Sequence, residues 1–139
     1  MKDIRLAFRS LLLSDATVNA LSGGRCYPVE MPENMRAPSL VYFRVSGFAD
    51  YHMQGDSGLQ QIRMQLDSWA DKHDGAVSLA DAAHDVLTGF QGRIVYGTDS
   101  PGSFIDIRGI FEVGERDLSD HTTRMFNMTR DFQIHYAKF

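Results

Sequence analysis

A single cysteine, Cys26, in 139 residues excludes an internal disulfide and leaves thiol redox chemistry without a partner group. That scarcity suits a reducing compartment, or a particle assembled in one. No apolar run approaches the roughly 18 residues that a membrane-spanning helix needs, so a soluble chain with no membrane partner is expected. Lysine and arginine are nowhere gathered into a stripe, and the net charge of −4 with a pI near 5.6 lacks the footprint of a nucleic-acid binder. The opening MKDIRLAFRSLLLSD carries charges on both sides of a short leucine cluster and no small-residue cleavage site, so it reads as a helix rather than a signal peptide. Of the four prolines, Pro28, Pro32 and Pro38 fall in Arg25–Ser39, which limits that stretch to an irregular loop with a short edge strand near Cys26–Tyr27. There is also only one tryptophan, Trp69.

Against those absences stands an ordinary globular composition, 43% hydrophobic and 23% charged, with no internal repeat, no low-complexity tract and no shift marking a second domain. One domain over residues 1–139 is expected. Its most legible stretch is Gln60–Phe90. There Ile62, Met64, Leu66 and Ser68 alternate with Gln61, Arg63, Gln65 and Asp67, the period of a half-buried strand. Trp69 falls on the polar parity, so either a bulge re-aims it or the second face of the sheet is also covered; a covered face is the expectation. Asp71 with Asp74 offers a carboxylate capping box, followed by the helical stripe Ala76, Leu79, Ala80, Ala83, Leu87 and Phe90.

Upstream, Asp3 caps a helix carrying Ile4, Ala7, Phe8, Leu11 and Leu12, and Ser14–Asp15 restarts a short piece that Gly23–Gly24 ends. Leu40–Phe48 is a β-branched and aromatic strand joined to Gln60 by a long, glycine-containing hairpin tip, ADYHMQGDSGLQ. Downstream, Arg93–Tyr96 and Phe104–Val113 read as strands, the latter with Ile105, Ile107, Phe111 and Val113 in alternation. The polar GERDLSDHTT reads as a solvated loop before a last strand, Arg124–Tyr136, in which Phe126, Met128, Phe132, Ile134 and Tyr136 share a parity. The fold class is α+β, a mostly antiparallel sheet packed by an N-terminal helix and one central amphipathic helix.

Catalytic and metal chemistry find no support. The five histidines, 52, 73, 84, 121 and 135, have no metal-ligand spacing, and Asp71, His73 and Asp74 are explained as a helix start. His84 has no nucleophile to serve and reads as a surface or interface histidine. Ser57 and Ser100 lack a nucleophile elbow, and the glycines at 89, 92 and 97 form no phosphate-binding loop. No catalytic residue, metal ligand or cofactor is assigned. Tyr51, His52, Met53 and Gln54 offer aromatic and methionine side chains at the hairpin tip, as an interface or folded back on their own sheet. The Arg25–Ser39 loop, with Met31 and Met35, is either a contact arm or a connection. Trp69 completes the candidate interface.

The ordered segments resemble the tail completion or tail terminator proteins of long-tailed bacteriophages and related gene transfer agents. The likeness runs nearly end to end, through the N-terminal helix ending in GGRCYP, APSLVYFRVSG, IRMQLDSWA, AVSLADAAHDVLTGF and RDFQIHY, with Trp69–Ala70 before the helix its sharpest element. Ser68 stands where a cysteine is frequent, and Gly75 sits in the helix's first turn. The resemblance implies a non-enzymatic virion protein, assembled in the host bacterial cytoplasm, that forms a hexameric ring at the head-proximal end of the tail. It implies as partners further copies of the chain, the tail tube protein and a head–tail connector or stopper protein. Six copies at −4 each carry 24 formal negative charges, so a lumen lined partly by Asp and Glu would pass DNA without gripping it. Two other readings compete: a head-completion or connector protein of the neck, and a small α+β ligand-binding domain or enzyme with a pocket between the helix and the Trp69 face.

Overall fold

The computed structural model describes residues 4–29, 38–53, 55–96, 104–120 and 125–137, and the backbone alone at 48–52, 55–58 and 117–120. The chain opens with α1 (Ile4–Ser14), whose Ile4, Ala7, Phe8, Leu11 and Leu12 recur at helical spacing and are all buried. Asp15 then caps α2 (Ala16–Ser22), its carboxylate accepting from the Val18 N–H at 3.1 Å. Gly23 closes α2 in the left-handed region, with φ 63° and its N–H on the Asn19 carbonyl at 2.8 Å. Asp3 lies outside the described residues.

Six strands follow: β1 (Cys26–Pro28), β2 (Ser39–His52), β3 (Gly55–Ala70), β4 (Gly92–Val95), β5 (Phe104–Asp120) and β6 (Met125–Ala137). They form one sheet in the order β1-β2-β3-β6-β5-β4, with β1 parallel to β2 and every other pair antiparallel. The α+β class with a mostly antiparallel sheet is therefore what the chain adopts. Between β3 and β4 runs α3 (His73–Leu87), which buries Ala76, Leu79, Ala80, Ala83 and Leu87. Phe90, just past its end, packs on the same core. The small residues of that stripe let the helix lie close against the sheet, whose contributions to the core include Ile62, Met64 and Leu66 of β3 and Phe132 and Ile134 of β6.

Several expectations are corrected. Helix α3 has Lys72 as its N-cap with no side-chain hydrogen bond, so Asp71 and Asp74 do not make a capping box; Asp74 instead lies in the first turn, where a carboxylate suits the helix dipole. The long hairpin tip is instead strand, since pairing continues to His52 opposite Gly55 and leaves only Met53–Gln54 as the connection. Likewise β5 runs to Asp120, so most of the supposed loop GERDLSDHTT is paired strand, Glu115 opposite Arg130 and Asp120 opposite Met125. Both extensions lack an apolar alternation, which is why they read as loops.

Phe111 and Val113 do not join the core either: they are 51% and 44% exposed. Register shifts between Ile107 and Gly109 and between Glu112 and Gly114 insert one extra residue each, and each insertion moves the following side chains to the other face. Ile110 is buried in their place. In β6 the shared parity holds, with Phe132, Ile134 and Tyr136 buried, but Phe126 at the far end is 36% exposed and packs edge-on to His73, ring centroids 5.9 Å apart.

Candidate assembly surface

The sheet separates two polar arrangements. On the helix side Arg130, 10% exposed, shares its face of β6 with Phe132 and Ile134, reaches the Asp81 carboxylate at 2.6 Å and donates to the Ala80 carbonyl at 3.4 Å. Its Nε lies 3.5 Å from carboxylate oxygens of both Glu112 and Glu115, a charge contact without hydrogen-bond geometry. Glu112 also meets His84, Nε2 to Oε2 at 3.0 Å, so His84 joins α3 to β5 rather than standing free at the surface. The cluster fixes α3 on the strands. It has no nucleophile or open coordination position, and among the described residues no group of His, Cys, Asp and Glu could hold a metal ion.

The opposite face carries Trp69, and Trp69 sits there without a bulge. The β3–β6 register runs unbroken from Leu59 to Ala70, placing Trp69 across from Asn127 and Ser39. Of the two explanations for its parity, the bulge is thus removed. Trp69 is half-buried, and its neighbours form a connected polar layer. Asp131 receives Arg63 at 2.6 Å and Arg116 at 3.5 Å; Arg116 also donates to Gln65 at 3.2 Å; Gln65 and Thr129 both donate to Asp67, at 3.0 and 2.9 Å. Asn127, Thr129 and Asp131 are buried by this layer within the single chain. Gly114 lies beside the pair, where an added Cβ would meet Arg63 and Asp131 at 4.0 Å, an ordinary contact.

Among the described residues the charges of this layer are balanced. Arg63 and Arg116 stand against Asp67 and Asp131, and at its margin Arg93 pairs with Asp106 at 2.8 Å. A shallow hollow of about 230 Å³ crosses the face between Ser46, Gly47, Gln61, Arg63, Val113 and Gln133. Helix α3 packs on the other side of the sheet from Trp69, so among the described residues the helix and Trp69 do not face one another across a pocket.

Of the other predicted interface residues, Met53 is fully exposed at the β2–β3 turn. Tyr51 and His52 end β2, where only the backbone is described, and Gln54, Met31 and Met35 lie outside the described residues. Cys26 is buried, and burial pushes its thiol up to about 12 despite the opposing pull of Arg9. No helix among the described residues is long and apolar enough to cross a membrane.

The family described as tail completion protein gp17 matches residues 7–137, from the first buried turn of α1 to the end of β6. The chain belongs to that family. A tail completion protein is a structural component of the virion tail, and such proteins are usually non-enzymatic, in keeping with the resemblance drawn from the segment order. No curated protein matches it. Its fold is similar to a chain in the solved structure titled "Virion of native gene transfer agent (GTA) particle", with a TM-score of 0.71, 16% identity, and coverage of 96% of this tail completion protein and 94% of that chain. What the sequence did not reveal is the polar layer, because Asp67, Thr129 and Asp131 look like ordinary solvated positions until the register brings them together. The one available signal was the repeated pairing of amide and charged residues on one strand parity.

Proposed function

We propose that this tail completion protein is a tail terminator: a ring, hexameric as in the family resemblance, that caps the head-proximal end of the tail tube, stops its polymerisation and offers the surface to which the head connector joins. The whole of residues 1–139 acts as one unit, assembled in the host cytoplasm before it enters the virion. The observation that carries the reading is the near end-to-end family match on a sheet whose helix-free face is polar and balanced in charge. Such a face can line a DNA passage, since among the described residues its Arg63, Arg116 and Arg93 already contact carboxylates and are not free to hold a phosphate backbone. Its partners are further copies of the chain, the tail tube protein and a connector or stopper protein; Met53 and Trp69 are candidate contacts, with Tyr51, His52, Gln54, Met31 and Met35 beside them.

Deleting the gene from the phage or phage-like element that encodes it tests this. Tails of uncontrolled length in electron micrographs are expected. Normal-length tails left unattached to filled heads would instead indicate the head-side connector reading and overturn the terminator.

A further inference from the structure

The two lateral edges of the sheet are each half covered, and at opposite ends. On one side β1 pairs only with Leu40–Tyr42, so that Arg44–His52 of β2, paired with β3 on the inner side, have no strand on their outer side among the described residues. On the other, β4 pairs only with Phe104–Ile107 and the Gly89 N–H bonds the Ile110 carbonyl at 2.9 Å, leaving Phe111–Asp120 of β5 similarly open. The continuous register allows heights to be compared across the sheet. Leu40–Tyr42 lie level with Ser68–Leu66, then Met128–Arg130, then Asp117–Glu115 of β5. Ile107, at the inner end of the β4 pairing, lies level with Tyr136, Gln60 and Ala49. Among the described residues, each edge therefore carries an outer strand at the height where the other carries none.

The irregularities match as well. The extra residue Val45 falls between the Met64 and Arg63 rungs of β2, and Val113 falls between the rungs of Phe132 and Asp131, one step away in height. A second pair of shifts, after Ile107 in β5 and after Ala49 in β2, again lies at adjacent rungs. Exposed apolar side chains gather at these same edges. Val29 (67%) and Val45 (49%) are on one, and Val95 (58%), Phe111 (51%) and Val113 (44%) on the other. Val29 is further held at φ 68°, a region that a β-branched residue rarely occupies.

We infer that the β1/β2 edge of one copy docks on the β4/β5 edge of the next, head to tail. In that arrangement β1 enters the recess beside Gly114–Asp117, running antiparallel to β5, while β4 enters the recess beside the end of β2, and Val45 meets Val113 between them. A second copy is the occupant because one heterologous contact of this kind covers both apolar edges at once. A two-fold contact would cover one and leave the other in water. Pro28 in β1 and the bulges keep either edge from pairing indiscriminately, so only a partner with the complementary stagger seats. The inference rests on the ring reading and names its seam.

The test mixes Val45→Cys and Val113→Cys proteins of distinguishable mass, each in a Cys26→Ala background, and treats the concentrated mixture with a short bifunctional thiol cross-linker. Mixed Val45→Cys/Val113→Cys dimers are expected in about tenfold excess over same-variant dimers, and the double variant should cross-link into a ladder. Phe111→Cys replaces Val113→Cys if the latter melts much below its parent. Same-variant dimers in equal or greater yield, or no cross-link at all, overturn the seam. A native mass equal to six copies without the mixed cross-link overturns the seam and leaves the ring. A ladder that grows into open filaments overturns the ring and leaves the seam.

Discussion

Cys26 shows how burial sets a residue's chemistry. The Arg9 guanidinium beside it favours the thiolate, yet exclusion from water outweighs that pull and holds the thiol protonated up to about pH 12. Because the unfolded chain releases this proton near the ordinary thiol value, folding stability is unaffected by it below that value and falls as pH rises from there toward 12. Urea melts between pH 8 and 11 should therefore show a steeper alkaline loss for the native chain than for Cys26→Ala; parallel curves would contradict the assignment. Arg130 makes the complementary case. It is a buried cation held by Asp81, Glu112 and Glu115, of which Glu112 is the least exposed. Arg130→Ala leaves that carboxylate with His84 as its remaining partner and should lower stability by roughly 3 kcal/mol. Arg130→Met, which keeps the bulk against α3, should lose less, and equal losses in denaturant titrations would show that charge pairing contributes little there.

At the scale of the element, the shape of the sheet depends on backbone approach that no side-chain pattern announces. Gly47 stands across from Ile62, where an added Cβ would come within 2.8 Å of a buried, branched side chain. At Gly109 the same addition meets the Phe111 ring at 2.9 Å, but that ring is half exposed and can swing away. Gly47→Ala is thus expected to cost about 1–3 kcal/mol and Gly109→Ala well under 1; thermal melts of the two variants reading the other way round would refute the account. The same physics explains what the sequence reveals. The Ile62–Ser68 alternation and the Ala76–Leu87 stripe are legible because one face of each is driven from water, so burial writes a period into the residues. The Asp15 cap and the Gly23 stop are legible because a specific backbone group needs them. The hairpin extensions of β2 and β5 stayed hidden, since strands without an apolar face leave no period to read. Phe111 and Val113 were misplaced for a different reason: a bulge conserves composition while reversing direction. Of the candidate surface, Trp69 was visible as a parity exception, whereas the layer around Asp131 exists only through register.

For the whole molecule, the proposed DNA passage makes the charge balance of that layer testable. Asp131 holds both Arg63 and Arg116 on the helix-free face, and it is itself nearly inaccessible, so its single charge offsets half of theirs from beneath, with Asp67 the other acid of the layer, while each guanidinium group remains nearly half exposed. A phosphate approaching this face would have to compete with a carboxylate already 2.6 Å from Arg63. Weak interaction with duplex DNA is therefore expected if, as proposed, this face lines the passage. Asp131→Asn keeps the shape and removes the charge, leaving two arginines without their counter-ion. The assembled variant should then retain duplex DNA in a filter or mobility assay at low salt, with an affinity falling by about two powers of ten for each tenfold rise in salt if both arginines of one subunit engage. The parent should retain none under the same conditions. DNA retention by the parent, or a variant as indifferent to DNA as the parent, would mean that paired charge on this face is not what keeps the passage slippery.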